Sequence, residues 1–297
     1  MSELQGRICL ITGGTNGIGK SAALALARMG GRVVIVGRDP VKTAQTVAEL
    51  RSASNNPNVE SLQADLSSLT QVRQLALDFR QRYDQLHVLI NNAGALIPKR
   101  QITVDGYEMT FALNHLAYFL LTNLLLDTLK ASAPARIINV SSDLHRAVRL
   151  NLDDLQNDSQ TYAPMRIYGQ SKLANVLFTT ELAKRLAGSG VTANALHPGM
   201  VNTGFATTDT RWWMRLYLAM TKRFGRSPEK GAETIVYLAS SPQVNQSNGQ
   251  YFIDCKAVKP SAQGTDPNLA RRLWEISERM VQPFLDPIVP SQTNVVS

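Results

Sequence analysis

An apolar run, a glycine-rich turn and an amphipathic run follow one another at the start of the chain, and that order restricts the fold more than any other feature. Arg7-Ile8-Cys9-Leu10-Ile11 reads as a buried strand and Thr12-Gly13-Gly14-Thr15-Asn16-Gly17-Ile18-Gly19 as a tight loop. Lys20 to Met29 reads as a helix, with Ala22, Ala23, Leu24, Leu26 and Ala27 at helical spacing. A strand feeding a helix through glycines aims main-chain N–H groups and the positive end of the helix dipole at one point, which suits a pyrophosphate. Gly13, Gly14, Thr15, Asn16, Gly17, Ile18 and Gly19 are therefore assigned to dinucleotide binding. The spacing is Gly-x-x-x-Gly-x-Gly rather than the ordinary Gly-x-Gly-x-x-Gly. Taken alone, the segment also admits a plainer reading as a turn in any α/β protein.

The next stretch of chain favours the nucleotide. Gly31-Arg32-Val33-Val34-Ile35-Val36-Gly37 is a second strand and completes a βαβ unit. Its end carries Arg38 where an NAD site commonly has an acid, and a guanidinium pairs well with a 2′-phosphate. NADP(H) is accordingly expected over NAD(H), and Asp39, one step later, keeps the alternative open. Asn58 to Leu66 predicts a third strand that brings Asp65 and Leu66 to the adenine. Leu86 to Gly94 predicts a fourth, whose Asn91 and Asn92 can fix the strand end and whose Asn92 and Gly94 border the cofactor. Ala135 to Ser142 and Val191 to Gly199 supply a fifth and a sixth. Apolar strands alternating with helical stretches predict an α/β chain, a single Rossmann-type doubly wound parallel sheet with helices on both faces. Ligands of such sheets lie beyond the carboxyl ends of the strands, where every one of these motifs falls.

Three side chains carry the chemistry. Tyr168 and Lys172 stand four apart at the start of a helical run reaching about Leu186, so they share a face. A free phenol ionises near ~10, and an adjacent ammonium favours the phenolate. Tyr168 can then give a proton to a carbonyl oxygen or take one from an alcohol, and Lys172 can also hold ribose hydroxyls. Ser142, ending the fifth strand, is placed to hydrogen-bond the reacting oxygen.

Glycine loop, Asn-Asn-Ala-Gly turn, strand-end serine, Tyr-x-x-x-Lys and Pro-Gly turn occur in the order of the short-chain dehydrogenase/reductases, which the chain resembles over about residues 5 to 260. The resemblance implies a catalytic set of Asn114, Ser142, Tyr168 and Lys172, with Asn114 supporting a proton relay and Ser141 a rival for the serine role. It also implies that Val201 and Thr203, after Pro198-Gly199, contact the nicotinamide end. Ser142 and Tyr168 lie 26 positions apart, about twice the usual family separation. The extra segment around Leu152-Asp153-Asp154-Leu155-Gln156 resembles that of retinol dehydrogenases, as do Ser171-Lys172-Leu173-Ala174-Asn175 and Tyr251-Phe252-Ile253-Asp254-Cys255. That subgroup implies NADPH-linked work on an apolar aldehyde, ketone or alcohol, and the family implies a homo-oligomer.

With 297 residues, 44% hydrophobic and 18% charged, the chain can build one large core. A single catalytic domain is expected over 1–285, with a substrate lid at about 203–226 and a flexible tail at 286–297. Two cysteines, Cys9 and Cys255, suggest buried thiols in a reducing compartment. Met1 to Gly6 is too short and polar for a leader, so a cytoplasmic protein is expected. The net charge of +8 comes with no nucleic-acid motif, and much of it lies in 211–226, among Trp212, Trp213 and Phe224. That stretch suits a lid over an apolar substrate or a peripheral contact with a lipid surface. The four histidines have no metal-ligand spacing, and the hydrolase elbow Gly-x-Ser-x-Gly is absent. A nucleotide-sensing or membrane-associated adaptor with little catalysis is the alternative from another functional class. The Ser142, Tyr168 and Lys172 set argues against it, since a pure binder has no use for that set.

Overall fold

The central strands of this chain are too apolar to leave either face in water. In a computed structural model, which describes residues 4–159, 161–201 and 225–285, β1 (Ile8–Thr12) and β4 (Val88–Asn91) are buried along their whole length. β2 (Arg32–Gly37) is buried after its first residue. With β3 (Val59–Gln63), β5 (Ala135–Val140), β6 (Val191–His197), β7 (Tyr251–Ile253) and β8 (Lys256–Val258) they form one eight-stranded sheet, ordered β3-β2-β1-β4-β5-β6-β7-β8. All pairings are parallel except that of β7 with β8. The antiparallel β8 is a departure from the all-parallel expectation. Its hairpin is closed by Asp254 and Cys255, both at positive φ (50° and 61°), the conformation a two-residue turn between right-twisted strands requires.

Alternation along each strand sends successive side chains to opposite faces and builds two cores. Cys9, Ile11, Val33, Ile35, Ile90 and Ile138 meet α1 (Gly17–Arg28), α2 (Pro40–Ser54) and α8 (Pro228–Ser240). Leu10, Val34, Val36, Leu89 and Ile137 meet α3 (Leu69–Arg82), α5 (Ala117–Leu124) and α7 (Pro164–Arg185) on the other side. Between them the chain makes short turns, α4 (Met109–Phe111) and α6 (Leu126–Ala131). The last described helix, α9 (Pro267–Leu285), lies over α5 and α7 and gives Ala270, Leu273, Trp274 and Val281 to the second core. The strand order reverses between β2-β1 and β4, and the crevice at that switch point is where open α/β sheets bind ligands.

β3 stops at Gln63, so Asp65 and Leu66 lie in the loop beyond it rather than in the strand. Cys9 is fully buried, with its thiol pushed up to about 12, whereas Cys255 in the hairpin turn is only half-buried. Thr203, nearly all of the 203–226 and 211–226 segments and the 286–297 tail lie outside the described residues. Among the described residues no helix is long and apolar enough to cross a membrane.

Candidate active site

The glycine loop sits at the switch point, between β1 and α1. Gly14 N–H is bonded to the Val36 carbonyl (3.2 Å), and the methyl of Thr15 would lie 2.5 Å from a Cβ added at Gly37. Asn16 is the N-cap of α1, yet its side chain caps no N–H and the first turn holds no acid. Those N–H groups remain for a partner other than a side chain, which fits a diphosphate. Gly19 has a different reason to be glycine. A Cβ there would stand 2.3 Å from the Gly13 carbonyl oxygen and 2.5 Å from Asn92 Nδ2. Asn92 donates that same Nδ2 to the carbonyls of Thr12 (2.8 Å) and Gly13 (3.3 Å), tying the end of β4 to the loop.

Toward the adenosine side, Arg38 is exposed at the end of β2, and among the described residues no carboxylate pairs with it. Asp39 is engaged otherwise: its carboxylate caps α2 by accepting from Lys42 N (3.0 Å). Asp65 Oδ1 accepts from Ser67 N (2.9 Å) and Ser67 Oγ (2.7 Å), and the Leu66 side chain is buried in the core. Ile18 and Val201 are brought together over Gly231 at the start of α8, where an added Cβ would meet Val201 at 2.6 Å and Ile18 at 3.2 Å. Gly231 was not legible as a site residue, because its role is to leave room for two side chains far from it in sequence.

On the other side of the crevice, α7 presents Tyr168 and Lys172. Proline at its first turn and a 22-residue run place both beside the end of β5. Lys172 Nζ donates to the Val140 carbonyl (3.0 Å) and lies 5.6 Å from the centre of the Tyr168 ring and 5.5 Å from that of Tyr118. Burial pulls its ammonium down from 10.5 to about 7. Ser142 is two residues past Val140, its Oγ accepting from Leu144 N (3.3 Å). Its rival Ser141 is spent on structure, donating to the Lys172 carbonyl (2.7 Å). Asn114 Nδ2 donates to Ala95 O and Ser171 Oγ (3.0 Å each). A Cβ on Gly94 would come within 3.0 Å of Asn114 Oδ1 and 3.2 Å of Lys172 Nζ. The structure thus gathers Asn114, Tyr168, Lys172 and Gly94 at one place, with Ser142 two residues beyond Val140, whose carbonyl holds Lys172.

Several supporting residues have partners distant in sequence, and of these His145, Asn139 and His115 escaped sequence reasoning, whereas Asn91 fixes its strand end as expected. His145 Nε2 accepts from Ser261 N (3.0 Å), so Nδ1 carries the proton and donates to the Ser142 carbonyl (2.8 Å). Asn91 Nδ2 donates to Thr122 Oγ1 (3.0 Å) and Asn139 Oδ1 (2.8 Å), and Asn139 Nδ2 to Thr179 Oγ1 (2.9 Å), crossing from β4 through β5 to α7. Fully buried His115 contacts Asn175 Oδ1 through Nδ1 (3.2 Å) and Ser277 Oγ through Nε2 (2.9 Å). Burial lowers His115 from 6.5 to about 4. Between those values the unfolded chain takes up a proton that the folded chain refuses, so stability falls as the pH drops through that window. The effect is up to about 3 kcal/mol. Urea denaturation at pH 7 and pH 4.5 is expected to show a smaller acid loss for His115→Phe than for the parent protein. An equal loss would mean that His115 is not a buried neutral base.

A doubly wound sheet with an uncapped helix N-terminus at its switch point, and a tyrosine and a lysine beside the end of β5, fits a dinucleotide-dependent oxidoreductase of the α/β type. Residues 7–213 match the family profile described as short chain dehydrogenase. The chain belongs to that family. It is 41% identical to human retinol dehydrogenase 13 over 289 residues, covering 94% of this chain and 86% of that protein. It is 43% identical to human polyprenol dehydrogenase over 284 residues, covering 92% and 84%. Among solved structures, a protein from Mycobacterium Paratuberculosis superposes with a TM-score of 0.76 at 33% identity, covering 94% of both chains. The Pseudomonas aeruginosa RhlG/NADP active-site complex superposes with a TM-score of 0.67 at 28% identity, covering 90% of this chain and 97% of that one. The protein is therefore an oxidoreductase of alcohols or carbonyls that works with a nicotinamide cofactor.

Proposed function

We propose that this enzyme uses NADP(H) to interconvert an apolar aldehyde or ketone and its alcohol, with Tyr168 as general acid and base. The observation that carries the reading is the Lys172 ammonium, buried and held 5.6 Å from the Tyr168 ring at the carboxyl end of the sheet. A cation in that position stabilises the phenolate left when Tyr168 protonates a carbonyl oxygen. Ser142 Oγ hydrogen-bonds the same oxygen and steadies the charge that develops on it. Asn114 and Gly94 confine the space around Lys172 Nζ. When bound, the nicotinamide gives or takes the hydride. The open first turn of α1 and the Asn92-tied glycine loop hold its diphosphate, with Ile18 and Val201 packed over Gly231 toward the nicotinamide end. In oxidation the same groups act in reverse, Tyr168 removing the alcohol proton.

The preference for NADP(H) rests on the division of labour at the end of β2. Arg38 has no acid partner among the described residues, whereas Asp39 spends a carboxylate oxygen on capping α2. RhlG, named in complex with NADP, supports the same choice. Arg38→Ala is expected to raise KM for NADPH by roughly 10- to 100-fold, the range for a hydrogen bond to a charged group, with little change for NADH. Equal effects on both cofactors in steady-state kinetics would count against a 2′-phosphate contact. The apolar substrate follows from the relatives, whose names specify retinol and polyprenol, both long apolar alcohols. Following NADPH consumption against a panel of aliphatic and isoprenoid aldehydes and ketones, retinal included, tests the reading. Turnover that rises with the apolar length of the substrate supports it, and turnover confined to small polar carbonyls overturns it.

A further inference from the structure

A chain of buried hydrogen bonds leaves the lysine and ends on the last described helix. Its directions can be deduced link by link. Asn175 Nδ2 faces two carbonyl oxygens, those of Asn114 (2.9 Å) and Val140 (3.5 Å). Carbonyls only accept, so this end of the amide is the NH2 group and Oδ1 is the end that meets His115. His115 Nδ1 must then carry a proton to reach Oδ1 at 3.2 Å. Nε2 is left as a bare acceptor, and Ser277 Oγ donates to it at 2.9 Å. Every link runs one way, from Ser277 on α9, through His115 and Asn175, to the carbonyls of Asn114 and Val140.

Both ends have a consequence for the site. The Val140 carbonyl is the acceptor of Lys172 Nζ (3.0 Å). Asn114 lies in a π-helical turn, Ala112–Leu116, where Ala117 N–H bonds the Ala112 carbonyl five residues back, a distortion that occurs mostly where function needs it. The His115 ring sits among Phe111 (5.0 Å), Phe119 (6.3 Å) and Phe178 (6.1 Å). Trp274 of α9 packs on Phe119 (4.8 Å) and Phe178 (5.8 Å). The nearest charge in this cluster is Arg185, stacked on Trp274 at 4.2 Å, and among the described residues the titratable groups facing Lys172 are the phenols of Tyr168 on its own helix and Tyr118 on α5.

We propose that Ser277, His115 and Asn175 are positioning residues that hold the Val140 carbonyl against Lys172 and the π-helical main chain of Asn114 in place, so that α9 is part of the active site although it touches no reactant. The inference rests on Lys172 acting as the cation that serves Tyr168. A buried polar group needs a partner in any core, so the test must read something that mere satisfaction would not move.

The full chain, labelled with 15N in histidine and 13C at lysine Cε, supplies such readings by NMR, with Lys172→Met identifying the Lys172 signal. His115 is expected to stay neutral with its proton on Nδ1 from pH 6 to 9. In Asn175→Ala, the Val140 carbonyl gains freedom to accept from the ammonium and water gains room. The Lys172 midpoint is then expected to rise by about one unit. Asn175→Leu, closer in volume and without the donor, replaces it if the alanine variant does not fold. Ser277→Ala is expected to lower kcat between about twofold and tenfold, the range of a single hydrogen bond, with KM unchanged, and Ser277→Thr to restore it. A proton on His115 Nε2, or a Lys172 midpoint that stays put when Asn175 is changed, overturns the proposal. So does a Ser277→Ala enzyme with full kcat. The NMR readings need no turnover. A displaced Lys172 in a protein that reduces no carbonyl would uphold the relay and overturn the proposed reaction instead.

Discussion

Tyr168→Phe is expected to lower kcat for carbonyl reduction by about a hundredfold to ten-thousandfold, the span supplied by general acid catalysis, while NADPH still binds. The substitution removes one oxygen and leaves the ring that lies 5.6 Å from Lys172 Nζ, so packing around the lysine survives. The folded baseline should therefore be unchanged, and the loss should appear in kcat rather than in cofactor affinity. NADPH fluorescence titration alongside steady-state kinetics separates the two. A variant that keeps more than a tenth of the parent kcat would remove Tyr168 from the role of acid. Ser142→Ala, by contrast, leaves the proton donor in place and takes away only a hydrogen bond to the oxygen.

Gly19→Ala should damage both the fold and cofactor binding. The new Cβ would be placed 2.3 Å from the Gly13 carbonyl oxygen and 2.5 Å from Asn92 Nδ2. The first of these is main chain and cannot swing aside. Relief requires α1 to move away from the loop, which breaks the Asn92 bonds to Thr12 and Gly13 and misaims the N–H groups of the helix. Overpacking of this kind costs about 1–3 kcal/mol, and dinucleotide affinity should fall with it. Thermal denaturation with and without NADPH checks both parts. The variant is expected to melt lower and to gain much less from saturating cofactor than the parent does. Parent-like stabilisation by NADPH would show that the loop accommodates the methyl without moving.

Legibility in the sequence depended on whether the signal was local. β1, the glycine loop and α1 are contiguous, and their apolar runs, spacing and order are visible within thirty residues. Tyr168 and Lys172 are four apart on one helix, so a single turn brings them together. Other features depend on long-range packing. The end of β3 at Gln63 is set by a turn in which Asp65 binds Ser67, and the apolar Leu66 that suggested a longer strand is buried in the core instead. The antiparallel β8 hangs on two residues at positive φ, Asp254 and Cys255, neither of them glycine. Asp39, which the sequence offers as a ribose ligand, also serves as the cap of α2, a role set by the fold of the chain after it. His115 and Ser277, 162 positions apart, carry no sequence mark of their pairing at all.

That last separation bears on how the enzyme comes into being on the ribosome. The glycine loop, the tyrosine and the lysine are all synthesised well before Trp274 and Ser277 emerge. Until they do, His115 Nε2 lacks its Ser277 partner and the rings of Phe119 and Phe178 lack the cover of Trp274. A nascent chain can therefore own its nucleotide cradle while its proton-handling half is still unfinished, and the closing of α9 over α5 and α7 is the step that joins the two.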